Sequence, residues 1–298
     1  SWNDTDGERD RLKYVGGFGD LTVIAIYEKN AEGDEGNLVN DQDFDVYYLA
    51  PYYKMENLTV GCLFGYVINA SNPSAKDTYL ASIPYFIGQW GPFGLQGELR
   101  YNGFGERDWD KASGRKDQDF EQMTYNLEGS FAMDMFKFEL GYGHVDAQYG
   151  EKDLVGYGGA IGDDWERMWL LTGSTDDNTA ASLGGLGNLS ATGSSAGGPL
   201  PEYGVDLYYG SVTVMPMEGL DVGLLIGYAE ADDTPSNIDD EYGWEYDLRL
   251  NYQIFDNLSY SFIAAYLDAG DFWKEAGNIS KSDFEDNFHL YHALTLKF

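Results

Sequence analysis

The chain is poor in cysteine, with one residue of this type, Cys62, among 298. A single cysteine provides neither a disulfide framework nor a CxxC pair for a metal. Cys62 falls in the apolar register of "LTVGCLFGY". This position favours a small buried or lipid-facing side chain over a reactive thiol.

Long hydrophobic runs are also missing, and mean hydropathy is -0.41. No window approaches the roughly 18 to 20 consecutive apolar residues of a transmembrane helix, which excludes a helical membrane protein. The N-terminus has no apolar segment preceded by basic residues. Any secretory signal peptide has therefore been removed or lies outside this numbering.

Basic residues are scarce, because 18 Lys and Arg stand against 51 Asp and Glu, for a net charge of -33. Such a surface disfavours nucleic acid, whose binding rests on Lys and Arg contacts with phosphate. The stretch "DQDFDV" begins like an EF-hand, but Val46 and Tyr52 occupy positions that require Gly and Glu. The acidic clusters are either solvated surface or weak sites for divalent cations, and we predict no cofactor and no dedicated metal site.

Aromatic residues are abundant at 16%, and the chain is 43% hydrophobic, which excludes a disordered acidic chain. The segment "EYGWEYDLRLNYQIF" alternates apolar side chains with Glu245, Asp247 and Arg249 from Trp244 onward. A period of two indicates a β-strand with one apolar and one polar face. About thirteen such strands are predicted, at 11 to 17, 21 to 28, 44 to 55, 58 to 68, 78 to 90, 93 to 104, 120 to 133, 136 to 146, 203 to 216, 220 to 230, 242 to 255, 258 to 268 and 288 to 298.

The connections between these strands alternate between turns of two or three residues and long acidic loops. Short turns at one end and long loops at the other are typical of an up-and-down transmembrane β-barrel. The strands, of about 9 to 13 residues, also match the roughly 9 to 11 that cross a bilayer when tilted. Aromatic residues near the strand ends fit interfacial girdles, at Tyr27, Tyr53, Tyr66, Trp90, Tyr101, Tyr142, Tyr228, Trp244, Tyr252 and Tyr266.

We therefore predict an all-β fold, a single antiparallel barrel domain over residues 1–298, with about 14 to 18 strands in the full protein. Because bacterial barrels have an even number of strands, we expect Ser1 not to be the mature N-terminus and at least one ascending strand, with three as a further option, to precede it.

The C-terminus "FHLYHALTLKF" places Phe298 on the same face as Leu296, Leu294 and Leu290. It resembles the terminal strand by which the barrel-assembly machinery recognises outer-membrane proteins. With "RLKYVGGFGDLTVIAIYEKN" and "YLAPYYKMENLTVGCLFGY", the chain resembles large Gram-negative porins, including alginate-export-type proteins. The resemblance implies a location in the outer membrane, contact with its lipid and lipopolysaccharide, and a homotrimer as one option. It implies no substrate-binding residue.

A barrel of this size leaves an aqueous channel, so the expected function is passive diffusion of ions and small hydrophilic solutes. Opposed charges in the lumen select ions by charge, and the acidic excess among them predicts a preference for cations. The alternative is that these groups are merely solvated. The predicted pore-lining residues are Glu98, Arg100, Glu128, Lys137, Glu139, Asp221, Glu245, Asp247 and Arg249.

Residues 146–202 form the longest predicted loop, and loops above roughly 15 residues are usually functional or disordered. Its first half, "LVGYGGAIGDDWERMWLL", is apolar enough to pack against the barrel. We expect it to fold inward and narrow the pore, with an external lid or a subunit contact as the alternatives. The candidate constriction residues are Asp163, Asp164, Glu166 and Arg167.

An enzyme is the main rival interpretation, because omptin-type proteases place a His and carboxylates at the outer rim of a barrel. His144 and Asp146 lie at the upper end of one strand, and Asp41 and Asp43 at the upper end of another. His144, however, has lipid-facing parity. We therefore predict no catalytic residue; a third reading is an acidic receptor or scaffold barrel for an external partner.

Overall fold

The computed structural model describes residues 10–31, 43–72, 74–147, 168–171, 203–276 and 286–297. Its strands form one antiparallel sheet in which thirteen long strands follow each other in chain order. The strands are β1 Asp10–Phe18, β2 Leu21–Ala31, β3 Phe44–Lys54, β4 Leu58–Asn69, β5 Ala75–Trp90, β6 Phe93–Trp109, β7 Gln118–Asp119, β8 Gln122–Met133, β9 Phe136–Val145, β10 Val205–Met217, β11 Leu220–Glu230, β12 Glu241–Phe255, β13 Leu258–Ala269 and β14 Asn287–Leu296. A short helix, α1, spans Phe272–Ala276, and a 3₁₀ turn spans Lys111–Ser113.

The two faces of the sheet differ as the alternation predicts. On β12, Trp244, Tyr246 and Leu248 are exposed, whereas Glu245 and Asp247 are fully buried. Successive residues of a strand point to opposite faces, so the register extends this division across the sheet. Glu245 pairs with Gly227 of β11 and with Leu267 of β13 on the inner face. The apolar face therefore points outward, and the face that carries most of the charge points into the barrel.

The ends of the strands differ as strongly as the faces. Two-residue turns join β1 to β2, β5 to β6, β8 to β9, β10 to β11 and β12 to β13. Gly19, Gly91 and Gly219 adopt positive φ in these turns, a conformation that costs glycine little. The opposite ends carry the long connections. The predicted up-and-down meander is confirmed, with a turn end and a loop end.

Two strands extend further toward the loop end than the sequence predicts. β5 begins at Ala75 and β6 continues to Trp109, so polar residues there pair rather than forming loop. Arg107 contacts Asp77 across this extension, with Nε to Oδ1 at 2.5 Å. β7 pairs with the end of β6 and brings the ring of Phe120 to 4.4 Å from that of Tyr79.

Tyrosines mark the outward face near the loop end. The Tyr27 hydroxyl donates to Asp45 at 2.8 Å and that of Tyr266 to Asp286 at 2.7 Å. The Tyr142 hydroxyl donates to Asp206, whose carboxylate lies nearer the loops. Tyrosine suits a boundary at which one end of the ring is apolar and the other is wet. The pairs therefore mark a change of surroundings along the outer wall.

Apolar side chains on the inner face form two clusters near the loop end. One contains Val46, Val67, Tyr79 and Phe120. The larger one lines β9 to β13 and includes Met168, Trp169, Leu170 and Leu171, which come from the connection between β9 and β10. Part of the inner face is therefore covered by connecting segments that fold back onto it.

The edge strands β1 and β14 both run from the loop end to the turn end. β1 leads into the tight turn before β2, and β14 follows the long connection after β13. Two strands of the same direction cannot pair with each other in an antiparallel manner. The side chains of Leu12 on β1 and Leu294 on β14 point to the outward face and are well exposed. The expectation that further strands precede Ser1 stays a prediction.

Cys62 lies on the outward face of β4, opposite Pro84 of β5, with its sulfur 3.7 Å from the Ser82 hydroxyl. It is partly exposed and is a free thiol. Across the described ranges, no helix combines the length and apolarity needed to cross a membrane.

Candidate functional site

The structure places the nine predicted pore-lining residues on the inner face. The register aligns Glu98 with Tyr85 and Asn126, and Glu128 with Gln96 and Gly141. On the other side of the barrel, Glu245, Asp247 and Arg249 align with inward positions of β11 and β13. Their common face is therefore a geometric fact, whereas their role in ion selection stays a prediction.

Most of the inward cations are held by carboxylates. Lys137 Nζ lies 2.7 Å from Glu139 Oε1, and Arg249 Nη2 lies 2.9 Å from Asp247 Oδ2. The Ser211 hydroxyl also donates to Glu139, at 3.0 Å. Each of the two ion pairs links positions two residues apart on one strand, since such residues share a face.

Two inward ion pairs were missed by the sequence analysis. Arg11 Nη2 of β1 lies 2.6 Å from Glu28 Oε2 of β2, and Arg107 of β6 forms two hydrogen bonds with Asp77 of β5, at 2.5 and 2.6 Å. The alternation in "RLKYVGGF" carried the signal for Arg11. These two pairs add equal numbers of acidic and basic groups to the inner face.

Glu128 is held on the inner face by neutral partners. Gln96 Nε2 donates to one carboxylate oxygen at 2.9 Å, and the Tyr209 hydroxyl donates to the other. The Tyr209 ring crosses Gly141, where an added Cβ would lie 2.2 Å from the ring. Gly141 thus makes room for a tyrosine that spans from β10 across β9 to β8.

The segment Met168–Leu171 is the most distinctive feature of the inner face. All four residues are buried. The backbone N–H groups of Leu170 and Leu171 donate to the two oxygens of Glu245, at 2.6 and 2.7 Å, and that of Trp169 donates to Asp247 at 3.2 Å. Two inward carboxylates therefore bind three consecutive backbone amides.

Side chains fix the segment on both sides. The indole N–H of Trp169 donates to Nδ1 of His289 on β14 at 2.6 Å, and the indole packs on the Tyr291 ring at 5.4 Å. Met168 lies over Gly227 of β11, where an added Cβ would come within 2.2 Å of the Met168 methyl. The segment therefore covers the inner face from β11 to β14.

The other predicted site residues cannot be placed. Asp163, Asp164, Glu166 and Arg167, the candidate constriction residues, lie outside the described residues, as does Phe298, the predicted assembly signal. The apolar end of the same predicted stretch, Met168–Leu171, lies on the inner face. Pore narrowing by this loop stays a prediction.

A sequence profile described as Gram-negative porin matches residues 2–168 of the chain. The chain belongs to the Gram-negative porin family. The match covers more than half of the chain and includes β1 to β9. The strand alternation, the turn and loop ends and the charged inner face of this porin agree with that assignment.

Solved structures with similar folds are outer-membrane proteins at low sequence identity. Pseudomonas aeruginosa OccK8 (OprE) is 15% identical with a TM-score of 0.46, over 93% of this chain and 68% of that one. Acinetobacter baumannii OccAB4 is 13% identical with a TM-score of 0.49, over 95% and 62%, and Pseudomonas aeruginosa OprD is 13% identical with a TM-score of 0.46, over 96% and 68%. The porin thus spans about two thirds of their lengths. No curated protein matches it in sequence.

Family membership places the porin in the outer membrane of a Gram-negative bacterium and points to a channel rather than an enzyme. Of the residues behind the protease alternative, Asp41 lies outside the described residues. His144 lies on the outward face, and both its ring nitrogens contact carboxylates, those of Asp206 and Asp146, at 2.9 Å.

Proposed function

We propose that the porin is a passive diffusion channel for ions and small hydrophilic solutes, and that it prefers cations because of the charge at its outer mouth. The charged inner face opposite an apolar outer face supports the channel, since burying charges costs free energy unless they are paired or meet water. The distribution of carboxylates along the barrel supports the outer mouth as the origin of the cation preference.

The inner face of the strands carries similar numbers of the two charges. Its acidic residues are Glu28, Asp77, Glu98, Glu128, Glu139, Asp221, Glu245 and Asp247, and its basic residues are Arg11, Lys13, Lys54, Arg100, Arg107, Lys137 and Arg249. Four of the cations lie in ion pairs with these acids. A nearly balanced lumen gives little net field by itself.

The large negative charge of the chain lies mainly outside this inner face. Many carboxylates belong to the loop end, among them Asp43, Asp108, Asp110, Asp233, Asp239, Asp240, Asp268 and Asp271. A mouth lined by one sign of charge raises the local concentration of the opposite ion. Such a field reaches about 10 Å at 0.1 M salt and about 3 Å at 1 M.

Reversal potentials of the full-length porin in a planar bilayer test this proposal. Cation preference should be clear at low salt and should fade as the salt approaches molar concentration. Replacing Asp233, Asp239 and Asp240 by Asn should weaken the preference at low salt, whereas Glu139→Gln in the lumen serves as the matched control. Absence of conductance would end the channel proposal; a preference for anions, or one that salt does not change, would end the proposal about the mouth.

We further propose that Met168–Leu171 narrows the channel on the side of β11 to β14. Its burial against Glu245 and Asp247 supports this role, because a segment fixed to the inner wall reduces the open cross-section there. The expected contacts with lipopolysaccharide and with the barrel-assembly machinery, and a homotrimer, stay predictions.

A further inference from the structure

A compact cluster of metal-ligand side chains lies on the outward face at the loop end, away from the channel. His144 is near the end of β9, Asp146 follows that strand, Asp206 is the second residue of β10, and Asp232 follows β11. The His144 side chain is 11% exposed, and those of the three aspartates are 19 to 30% exposed. The cluster is therefore sheltered, unlike the acidic residues of an open loop.

The aspartates surround the imidazole on both sides. Nε2 lies 2.9 Å from Asp146 Oδ1, and Nδ1 lies 2.9 Å from Asp206 Oδ1 and 4.0 Å from Asp232 Oδ1. One ligand atom from each of His144, Asp146 and Asp232 lies within 4.8 Å of the other two. An ion about 2.0 to 2.2 Å from Nε2 would lie beside Asp146 Oδ1, and the Asp232 side chain, whose Oδ1 lies near Nδ1, would turn toward the ion to complete the site.

Backbone amides hold the carboxylates in this arrangement. The N–H of Met123 donates to Asp146 Oδ2 at 2.5 Å, and that of Ala147 donates to Asp232 Oδ2 at 2.8 Å. Each of these aspartates therefore turns its other oxygen, Oδ1, toward the imidazole. The Tyr125 ring, 4.8 Å from that of His144, restrains the imidazole itself.

The charges of the cluster do not balance. Three carboxylates meet one imidazole, which supplies at most one positive charge. Like charges at such distances repel each other, and partial burial strengthens the repulsion. A divalent cation would remove it.

We propose that this cluster is a binding site for a first-row divalent metal ion such as Zn²⁺. Nε2 of His144 and Oδ1 of Asp146 and Asp232 are its protein ligands. The N–H at Nδ1 donates to Asp206, the outer partner that commonly orients a metal-binding histidine. Binding needs a neutral imidazole, so the proton on Nε2 leaves to solvent as the metal–nitrogen bond forms.

The nitrogen donor distinguishes this site from the acidic loops around it. Ca²⁺ and Mg²⁺ take oxygen ligands, whereas imidazole suits zinc and its neighbours. Sequence reasoning missed the cluster because Asp206 and Asp232 lie far along the chain from His144.

A metal here would tie together the two ends of the connection between β9 and β10. Asp146 lies where that connection leaves β9, and the ligand Asp232 contacts the backbone of Ala147 at the same place. Asp206 lies where the connection enters β10. The ion would therefore fix the base of the connection that supplies Met168–Leu171.

Zinc binding to the folded full-length porin in detergent tests the proposal. The protein is stripped with a chelator, equilibrated with Zn²⁺ in excess Mg²⁺, and its bound metal is measured by elemental mass spectrometry. We expect one zinc ion per chain that Mg²⁺ does not displace. Asp206→Asn should weaken binding by about 10- to 100-fold, as loss of an outer partner does.

Ligand variants decide the assignment. His144→Ala and Asp232→Asn should abolish this zinc, whereas Asp233→Asn, the same change one residue further on, should retain it. The folded state of each variant is checked by its resistance to unfolding in detergent. Asp232 follows β11, so its variant gives the answer even if His144→Ala fails to fold. Wild-type protein without zinc in excess Mg²⁺, or Asp232→Asn with undiminished zinc, would overturn the proposal.

Discussion

Removing the carboxylate of Glu245 should release Met168–Leu171 from the inner wall. Glu245 accepts the backbone N–H groups of Leu170 and Leu171, both in buried surroundings. A buried N–H group left without an acceptor costs about 1 to 3 kcal/mol, so Glu245→Ala, which removes the acceptor of two such groups, should cost the attached state about 4 kcal/mol. Since about 1.4 kcal/mol is a tenfold change, the ratio of attached to released segment should fall by about a hundredfold or more.

Thiol labelling of a cysteine at position 170 measures this release. In a Cys62→Ser background, Leu170→Cys should react slowly with a charged, water-soluble thiol reagent, because Leu170 is 2% exposed. Adding Glu245→Ala should raise the rate by about the same hundredfold when labelling follows the released state. Glu245→Gln keeps one carbonyl acceptor and should give a smaller increase.

Asp221→Asn is the matched control, because Asp221 is an inward carboxylate of β11 that aligns with Asn251, away from the segment. It should leave the labelling rate unchanged. Single-channel conductance should rise in Glu245→Ala and stay near wild type in Asp221→Asn. Equal labelling rates in the two variants would refute the role assigned to Glu245.

Two further predictions concern packing on the inner face. Gly227→Ala should also raise labelling at position 170, because the new Cβ meets the Met168 methyl at 2.2 Å; Gly223→Ala on the same strand, whose Cβ would have no neighbour nearer than 3.5 Å, should not. A failure to separate these variants would contradict close packing of Met168. Phe120→Ala should cost about 3 to 5 kcal/mol of packing and lower the unfolding temperature of the barrel in detergent. Phe104→Ala should have little effect, because Phe104 is 78% exposed; equal effects would show that the cluster around Phe120 adds no stability.

The sequence predicts the faces of the strands well because alternation acts residue by residue. Glu245 and Asp247 alternate with Trp244 and Tyr246, and both faces were assigned correctly. Sheet register carries this information from strand to strand, since a slip of one residue would reverse every side chain. The barrel and its two ends are therefore readable from the sequence alone.

A register shift between β5 and β6 changes which residues of β6 point inward, and strand alternation alone does not reveal it. On β6, Arg100 and Asn102 point inward from even positions, but beyond a register shift the inward residue is Arg107, at an odd position. The shift lies opposite Thr78 to Leu80 and near Phe104, which has a φ of 53°. An extra residue in one strand reverses the parity beyond it. The pair of Arg107 with Asp77 was missed for this reason.

Contacts between distant segments are the other part that sequence reasoning could not supply. The apolar end of the loop was recognised in "RMWLL", but Leu170 and Glu245 are 75 residues apart. Nothing in local spacing indicates that a glutamate of β12 accepts backbone amides rather than facing open water. The cluster around His144 was missed for the same reason, because its aspartates come from the ends of one connection, between β9 and β10, and from another, between β11 and β12.

The position of Cys62 gives the porin a built-in spectroscopic label site. As the one cysteine of the chain, on the outward face of β4 and four residues after the start of that strand, it can carry a nitroxide without any engineered thiol. Collisions of that nitroxide with dissolved oxygen and with a polar relaxation agent would report its depth in the bilayer. The native protein can therefore calibrate its own height in the outer membrane.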